Sequence, residues 1–284
     1  MRLSLAERAS LVGPFDYIVL KTIYEDRDKS EYIHYLTLKK KLGQKNVKDL
    51  KISLLKLNKL KLVFKDSTSL AFKLTFSGLD ILAIKMLYVN HILNKLGSII
   101  GEGKESIVYL GYDFNDNPIV VKFHRIGRNS YKSIRRREPY KKSWITISVE
   151  NAEREYKALK CVHDNGGKVP RPLGIAYNAV AMEYIDGIEL YRVSNNAFDF
   201  TKLYNEILGT MRIAYTECKI AHGDLSPYNI LIDKENNLFI IDWPQASQSE
   251  ESLQHDIRNI INFFRRFGIS DDPQKIFDYV RGIS

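Results

Sequence analysis

Three side chains in the stretch His222 to Gln245, HGDLSPYNILIDKENNLFIIDWPQ, have the types and the spacing that phosphoryl transfer requires: Asp224, Asn229 and Asp242. Asp224 precedes the amide by five residues, and the second carboxylate follows eighteen residues after Asp224, behind the apolar run LFII. In such a reaction one carboxylate positions or deprotonates the attacking hydroxyl, while an amide and a second carboxylate hold magnesium on the phosphates of ATP. A lone Asp after His-Gly would be a capped turn. The full string reads as the catalytic and metal loop of a phosphotransferase. Its residues must be carried by a loop–strand–turn–strand unit, and a long helix over Phe200 to Ile220 delivers the chain to it.

Other candidates lie upstream. Ser98 to Tyr109 (SIIGEGKESIVY) has the pattern strand, glycine turn, strand, in which Gly101 and Gly103 let a backbone approach phosphates that the turn amides bind. Alone the pattern is weak, since Ser106 stands where a third glycine is usual. Pro118 to Phe123 is an apolar strand carrying Lys122, and a lysine there is costly unless its charge is paired. A helix from about Val149 to Val162 offers Glu155 as the partner, with Glu153 second. Glu155 is preferred because Leu159, one turn on, can pack inward on the same face. Between that strand and helix, His124 to Lys142 is a dense basic stretch expected to be mobile. It is a surface loop without a role, a contact for RNA or substrate, or itself a phosphorylation target. Ala179 to Ile185 (AVAMEYI) is a further strand, and Met182, Glu183, Tyr184 and Ile185 stand where a two-lobed kinase has the hinge that binds adenine.

The first third of the chain differs in charge. Residues 1–95 hold 18 Lys and Arg against 9 Asp and Glu, which is the whole formal excess of +9; the remainder balances at 25 against 25. This module is therefore the one suited to a polyanion. It reads as helices over Phe15–Tyr24, Leu36–Leu42 and Val47–Leu60, the last capped by Asn46 with Val47, Leu50, Leu54, Leu55 and Leu57 or Leu60 inward. A hairpin follows (Leu62–Phe64 and Leu70–Leu74), then a helix over Thr75–His91. Three helices and a hairpin make a winged helix. Lys39, Lys40, Lys41, Lys45, Lys48, Lys51, Lys59, Lys61 and Lys65 decorate it, either as a solvated face or as a nucleic-acid footprint. With no arginine on its third helix, binding would be non-specific or directed by shape. No apolar run approaches the length of a membrane span, and the amino terminus lacks the features of a secretory leader. Cys161 and Cys218, without metal-ligand spacing, are expected to be buried free thiols in a reducing, cytoplasmic setting.

The strings GEGKESIVY (Gly101–Tyr109), VKFHRIGRNSY (Val121–Tyr131), SWITISVENAEREYKAL (Ser143–Leu159), VPRPLG (Val169–Gly174), AVAMEYIDG (Ala179–Gly187), HGDLSPYNIL and IIDWPQ occur in one order. In them the chain resembles the RIO family of atypical serine/threonine protein kinases, and its second subfamily, which carries an amino-terminal winged helix. The resemblance implies an α+β chain: a winged-helix domain over 1–91, then a compact two-lobed protein-kinase-like domain over 92–284, with lobes at about 97–185 and 186–284, binding ATP and Mg2+ (Mn2+ as a substitute). It assigns Asp224 as the catalytic Asp, Lys122 as the phosphate-binding lysine and Asn229 and Asp242 as metal ligands. Gly101, Gly103, Lys104, Glu105, Ser106, Val108, Glu155, Met182, Glu183 and Ile185 complete the nucleotide site. His222-Gly223-Asp224 departs from the His-Arg-Asp of ordinary protein kinases, and Asp242-Trp243-Pro244 from Asp-Phe-Gly. Only 42 residues follow Asp242, too few for the usual activation loop and peptide platform. Proteins of this kind are thought to use ATP turnover as a switch in small-ribosomal-subunit maturation and can autophosphorylate. Ribosomal RNA, met by the basic module and the loop 125–142, is the implied partner; no membrane is. Aminoglycoside and choline kinases share HGDL…N…IDW, so a small-molecule phosphotransferase is the alternative.

Overall fold

The computed structural model describes residues 3–43, 47–126, 142–193 and 198–283, and the chain divides into two units. The first comprises residues 1–152 and 174–181, the second 153–173 and 182–284.

The first unit opens with α1 (Leu5–Ser10), a helix unread in the sequence. It is held by a capping box in which Ser4 Oγ accepts the Glu7 N–H at 3.2 Å and Glu7 Oε2 accepts the Ser4 N–H at 2.7 Å. Then come α2 (Pro14–Glu25), the two-residue β1 (Ile33–His34), α3 (Tyr35–Leu42), α4 (Val47–Lys59) and the hairpin β2 (Val63–Lys65) and β3 (Ala71–Leu74). The strands pair antiparallel in the order β1-β3-β2. Asp16 of α2 reaches α4, accepting from Ser53 Oγ at 2.7 Å and Lys56 Nζ at 2.6 Å. Leu50, Leu54 and Leu57 fill the space between, as their spacing requires. Leu55 does not: it is 71% exposed, because a fifth inward position would widen the apolar stripe onto the face held by Lys48, Lys51 and Lys59. The expected cap Asn46, Lys45 and the side chain of Val47 lie outside the described residues.

Helix α5 (Phe76–Val89), capped by Thr75, lies close on this core. A Cβ at Gly78 would meet the Leu62 carbonyl oxygen at 2.1 Å, so glycine is required there. The sheet that follows has the order β4-β5-β6-β8-β7, built from β4 (Lys95–Glu102), β5 (Ser106–Tyr112), β6 (Pro118–His124), β7 (Pro172–Ala176) and β8 (Ala179–Glu183). A buried polar knot joins α5 to it. Asp80, fully buried, pairs with Arg125 and accepts from Asn178 Nδ2 at 2.9 Å; the same amide donates to the His124 carbonyl, and the His124 N–H donates to the Asn178 carbonyl at 2.8 Å. Burial pushes the Asp80 carboxyl up, against the pull of Arg125 and Asn178. Arg125 is thus drawn inward rather than joining the basic stretch, of which residues 127–141 lie outside the described residues.

Helix α6 (Trp144–Asp164) starts a full turn before its expected beginning, with Ser143 Oγ accepting the Thr146 N–H at 3.1 Å. In the second unit, β9 (Gly187–Glu189), β10 (Ile230–Asp233) and β11 (Leu238–Ile240) form an antiparallel sheet. Three helices accompany it: α7 (Phe200–Thr216), α8 (Glu250–Phe264) and α9 (Pro273–Val280). Leu203, Ile207 and Met211 of α7, Leu253, Ile257, Ile260, Ile261 and Phe264 of α8, and Phe277 and Val280 of α9 are buried at helical spacing. Each such side chain contributes about 1.5–3 kcal/mol. Helix α7 stops at Thr216, not Ile220: Lys219 takes φ +58° and the Ile220 N–H turns back to the Ala214 carbonyl at 3.0 Å. The cysteines are a correction. Cys161 on α6 and Cys218 after α7 are half-buried and joined in a disulfide, their Cα atoms 5.9 Å apart. A sequence separation of 57 hid that proximity from the sequence. Among the described residues no helix is long and apolar enough to cross a membrane.

Candidate active site

In the second unit the HGD loop is fixed from three sides. The His222 ring lies against the Trp243 ring at 4.5 Å, and its Nε2 is 2.9 Å from the Ile241 carbonyl. Its Nδ1 accepts the Asp224 N–H at 3.3 Å, which leaves Nε2 as the protonated nitrogen donating to Ile241. Burial holds the imidazole below its ordinary pKa, so the neutral tautomer persists. The backbone on either side of Asp224 is clamped by one carboxylate: Asp256 of α8 accepts the Gly223 N–H on Oδ2 and the Leu225 N–H on Oδ1, both at 2.8 Å. Asn259, nearly a turn further along α8, donates to the Leu225 carbonyl at 3.0 Å.

Gly223 explains the departure from His-Arg-Asp locally. Its φ is +86°, and a Cβ would stand 2.6 Å from the Gln245 carbonyl oxygen. No side chain fits.

Asn229 closes the loop by donating from Nδ2 to the Asp224 carbonyl at 2.8 Å, which turns its Oδ1 the other way. Its own carbonyl accepts the Ile241 N–H at 2.9 Å, so the residue before Asp242 is bonded directly to Asn229. Asp242 itself adopts φ +70°, outside the register of β11. The next residue, Trp243, is almost fully buried, donating Nε1–H to the Ile240 carbonyl at 3.1 Å and N–H to Glu155 Oε1 at 3.3 Å. Glu155 is buried at 1% exposure, whereas Glu153 is exposed and pairs with Lys157 at 3.7 Å. Asp224 and Asn229 thus share one hydrogen-bonded loop, and the residues on either side of Asp242 are bonded to Asn229 and to Glu155 of α6. Glu183, at the end of β8, is engaged with Arg171: its N–H donates to the Arg171 carbonyl at 2.9 Å and its Oε2 accepts the Arg171 N–H at 3.1 Å. Met182 is buried and Ile185 half-buried.

In the first unit, β4 and β5 join through the glycine turn. The Gly103 N–H donates to the Ser106 carbonyl at 2.9 Å, and the Glu105 carbonyl accepts the Arg125 N–H at 2.7 Å. Gly101 faces Val108, and Val108 in turn faces Lys122 on β6, which is 6% exposed. Lys104 is exposed at the tip. A Cβ would meet only ordinary contacts at Gly101 (3.6 Å) and Gly103 (3.8 Å), so the fold itself demands neither glycine.

Comparison with known proteins places the chain in a family. The RIO domain family profile matches residues 107–276. Over 252 residues the chain is 32% identical to the RIO-type serine/threonine-protein kinase Rio2 of Methanocaldococcus jannaschii, covering 82% of this chain and 92% of that one. The chain belongs to the RIO family of atypical serine/threonine protein kinases. It is 31% identical to RIO2 of Saccharomyces cerevisiae over 212 residues, 69% of this chain and 49% of the yeast protein. It thus spans about half the length of that eukaryotic relative. A Chaetomium thermophilum Rio2 crystal structure, described as an ADP/Mg2+–phosphoaspartate complex, superposes with a TM-score of 0.78 at 25% identity over 97% of this chain and 87% of that one.

As a RIO kinase the chain is a phosphotransferase, and Asp256 is the site residue that sequence reasoning missed. Its signal was faint: a single Asp on an amphipathic helix, 31 residues beyond the N–H it holds. Burial pushes its carboxyl up while the two N–H donors pull it down. The lysines of this RIO chain's first module divide as well. Lys41 is committed to Asp26 at 2.6 Å, while Lys48, Lys51, Lys59, Lys61 and Lys65 are exposed.

Proposed function

We propose that the chain is an ATP- and Mg2+-dependent RIO kinase and ATPase that acts, in the cytoplasm, on the immature small ribosomal subunit. The observation that carries the catalytic half is the clamped turn in which Asp256 fixes the backbone around Asp224 and Asn229 bonds to the Asp224 carbonyl. Asp224 orients the acceptor. Lys122 and the turn amides from Gly101 to Ser106 serve the phosphates, Val108 lines the same hairpin beside them, and Met182, Glu183 and Ile185 serve the base. Glycines that the fold does not demand fit a backbone that a ligand must approach.

The residues fit magnesium. Among the described residues no three His, Cys, Asp or Glu side chains form a ready cage, and an all-protein site is not what this ion needs. One amide oxygen and one carboxylate, Asn229 and Asp242, are hard donors of the kind Mg2+ accepts when phosphates and water complete its shell. When bound, the ion neutralises charge on the transferring phosphoryl group. The acceptor is a serine hydroxyl, water or Asp242 itself. The phosphoaspartate of the Chaetomium Rio2 complex favours Asp242, and autophosphorylation there would conserve the bond energy for a switch.

Residues 1–91 act as a winged helix for ribosomal RNA, and 92–284 as the kinase domain. Support comes from the element order α2-β1-α3-α4-β2-β3 with its three-stranded sheet, and from the lysines exposed on α4 and the hairpin. The test follows the terminal phosphate of labelled ATP with and without immature small subunits, with Asp224→Ala as control. Particle-stimulated release of free phosphate, lost in the variant, is expected for a switch. Turnover that survives Asp224→Ala overturns the assignment.

A further inference from the structure

The Cys161–Cys218 bond lies between the two elements that converge on the catalytic turn. On one side, α6 carries Cys161 and, six residues earlier, Glu155, whose carboxylate holds the Trp243 N–H next to Asp242. The segment after α6 is bonded to the strand leading into that turn, the Ile240 N–H donating to the Lys168 carbonyl at 2.8 Å. On the other side, Cys218 begins the run into the HGD loop, and little slack follows it. Lys219 is held at φ +58°, Ile220 is tied to the end of α7, Ala221 exchanges two backbone hydrogen bonds with Ser247 at 2.8 and 3.1 Å, and His222 and Gly223 are fixed to Ile241 and Asp256. A covalent tie at residue 218 is therefore transmitted to Asp224 through five positions, each of them held.

Chemistry can reach the bond. Both cysteines are half-buried, and Glu217 and Lys219, the neighbours of Cys218, line an open cavity of about 580 Å3 together with Arg212 and Arg281. In the reducing compartment proposed above, a disulfide with this access fits a sensor better than a permanent staple.

We propose that Cys161 and Cys218 form a reversible redox site that sets the rigidity of the catalytic loop, with a dithiol as its reductant. In the reducing direction a thiolate of the dithiol attacks one cysteine sulfur and the Cys161–Cys218 bond breaks. The released sulfur takes a proton from solvent. The second thiol of the reductant then resolves the mixed disulfide, leaving two cysteine thiols and the cyclic disulfide of the reductant, a two-electron exchange. A low-molecular-weight disulfide such as oxidised glutathione reverses it. The inference rests on reading Asp224 as the catalytic Asp.

The test equilibrates the full-length chain in buffers of reduced and oxidised dithiothreitol, from fully reducing to oxidising, and counts free thiols by mass. ATP turnover and amide hydrogen exchange over residues 218–225 are then measured on the oxidised form, the reduced form and the Cys161→Ser/Cys218→Ser variant. The bond is expected to interconvert within that range. Reduced and variant proteins should turn over ATP several-fold more slowly at unchanged KM, with faster exchange at 218–225, and the variant should ignore the buffer. A bond that stays oxidised throughout, or reduction that leaves turnover and exchange unchanged, overturns the proposal. If no form turns over ATP, it is the assigned function that falls, and hydrogen exchange on the reduced wild type alone decides the redox site.

Discussion

Replacing Asp256 by Asn tests whether the clamp, rather than Asp224 alone, makes the loop competent. The carboxylate is fully buried and accepts two N–H groups at 2.8 Å, one on each oxygen. An amide has one oxygen, so either Gly223 or Leu225 must face an NH2 group, donor against donor. Losing a hydrogen bond to a charged acceptor costs about 1.5–3 kcal/mol. Removing the charge recovers part of the burial penalty that pushes the Asp256 carboxyl up, so a net loss of about 2 kcal/mol in stability is expected. The kinetic effect should be larger than that suggests. Asn259 still holds the Leu225 carbonyl, so the loop stays near its place while its backbone shifts to relieve the clash. A displacement of about 1 Å at a catalytic group costs on the order of 100-fold in turnover. Single-turnover phosphoryl transfer should therefore show kcat down by about two orders of magnitude with the KM for ATP nearly unchanged, the signature of a transition-state interaction. Urea titration fixes the folded fraction under assay conditions. A fully folded Asp256→Asn protein with wild-type kcat would refute the positioning argument, and so would a change confined to KM.

Three further outcomes are expected. Gly223→Ala places a Cβ 2.6 Å from the Gln245 carbonyl at a left-handed φ, so thermal unfolding should show a loss of at least about 1–3 kcal/mol along with lost turnover. The Cys161→Ser/Cys218→Ser variant frees a loop of 57 residues in the unfolded state and should lose up to about 4 kcal/mol in chemical denaturation, an effect absent when both proteins are compared under reducing conditions. Burial would raise the Asp16 carboxyl, but Lys56, Ser53 and the Gly13 N–H together hold it below the ordinary value. Its contribution is therefore present above about pH 4 and lost as pH falls through the depressed value, so Asp16→Asn should flatten the acid limb of a stability–pH curve; an unchanged limb would count against the bond network.

The parts of the site that were legible in the sequence are those whose geometry is local. Asp224 and Asn229 share one loop, and a five-residue spacing is enough to join them. The burial of Lys122 on its apolar strand, and of Glu155 rather than Glu153 on α6, was legible from the strand pattern and from helical periodicity. Asp256 and the disulfide escaped for the opposite reason. Each depends on segments more than 30 residues apart meeting in space, and neither a single Asp on the inner stripe of a helix nor two unmatched cysteines names its partner. Leu55 misled because periodicity marks where apolar residues recur, not which of them a neighbouring helix covers. The ends of α6 and α7 were misplaced because capping by Ser143 and the left-handed Lys219 outweighed the apolar pattern.

The knot of Asp80, Arg125, Asn178 and His124 gives the first unit a property that its separate parts lack. It joins a helix of the amino-terminal module to the strand that carries Lys122, through hydrogen bonds sealed from water. Lys122 stands two residues before His124, whose backbone is bonded in both directions to Asn178. Helix α5 and that strand are therefore fastened at one buried point. Loss of either Asp80 or Asn178 would leave buried polar partners unmet on both sides, so the helix and the strand would loosen together.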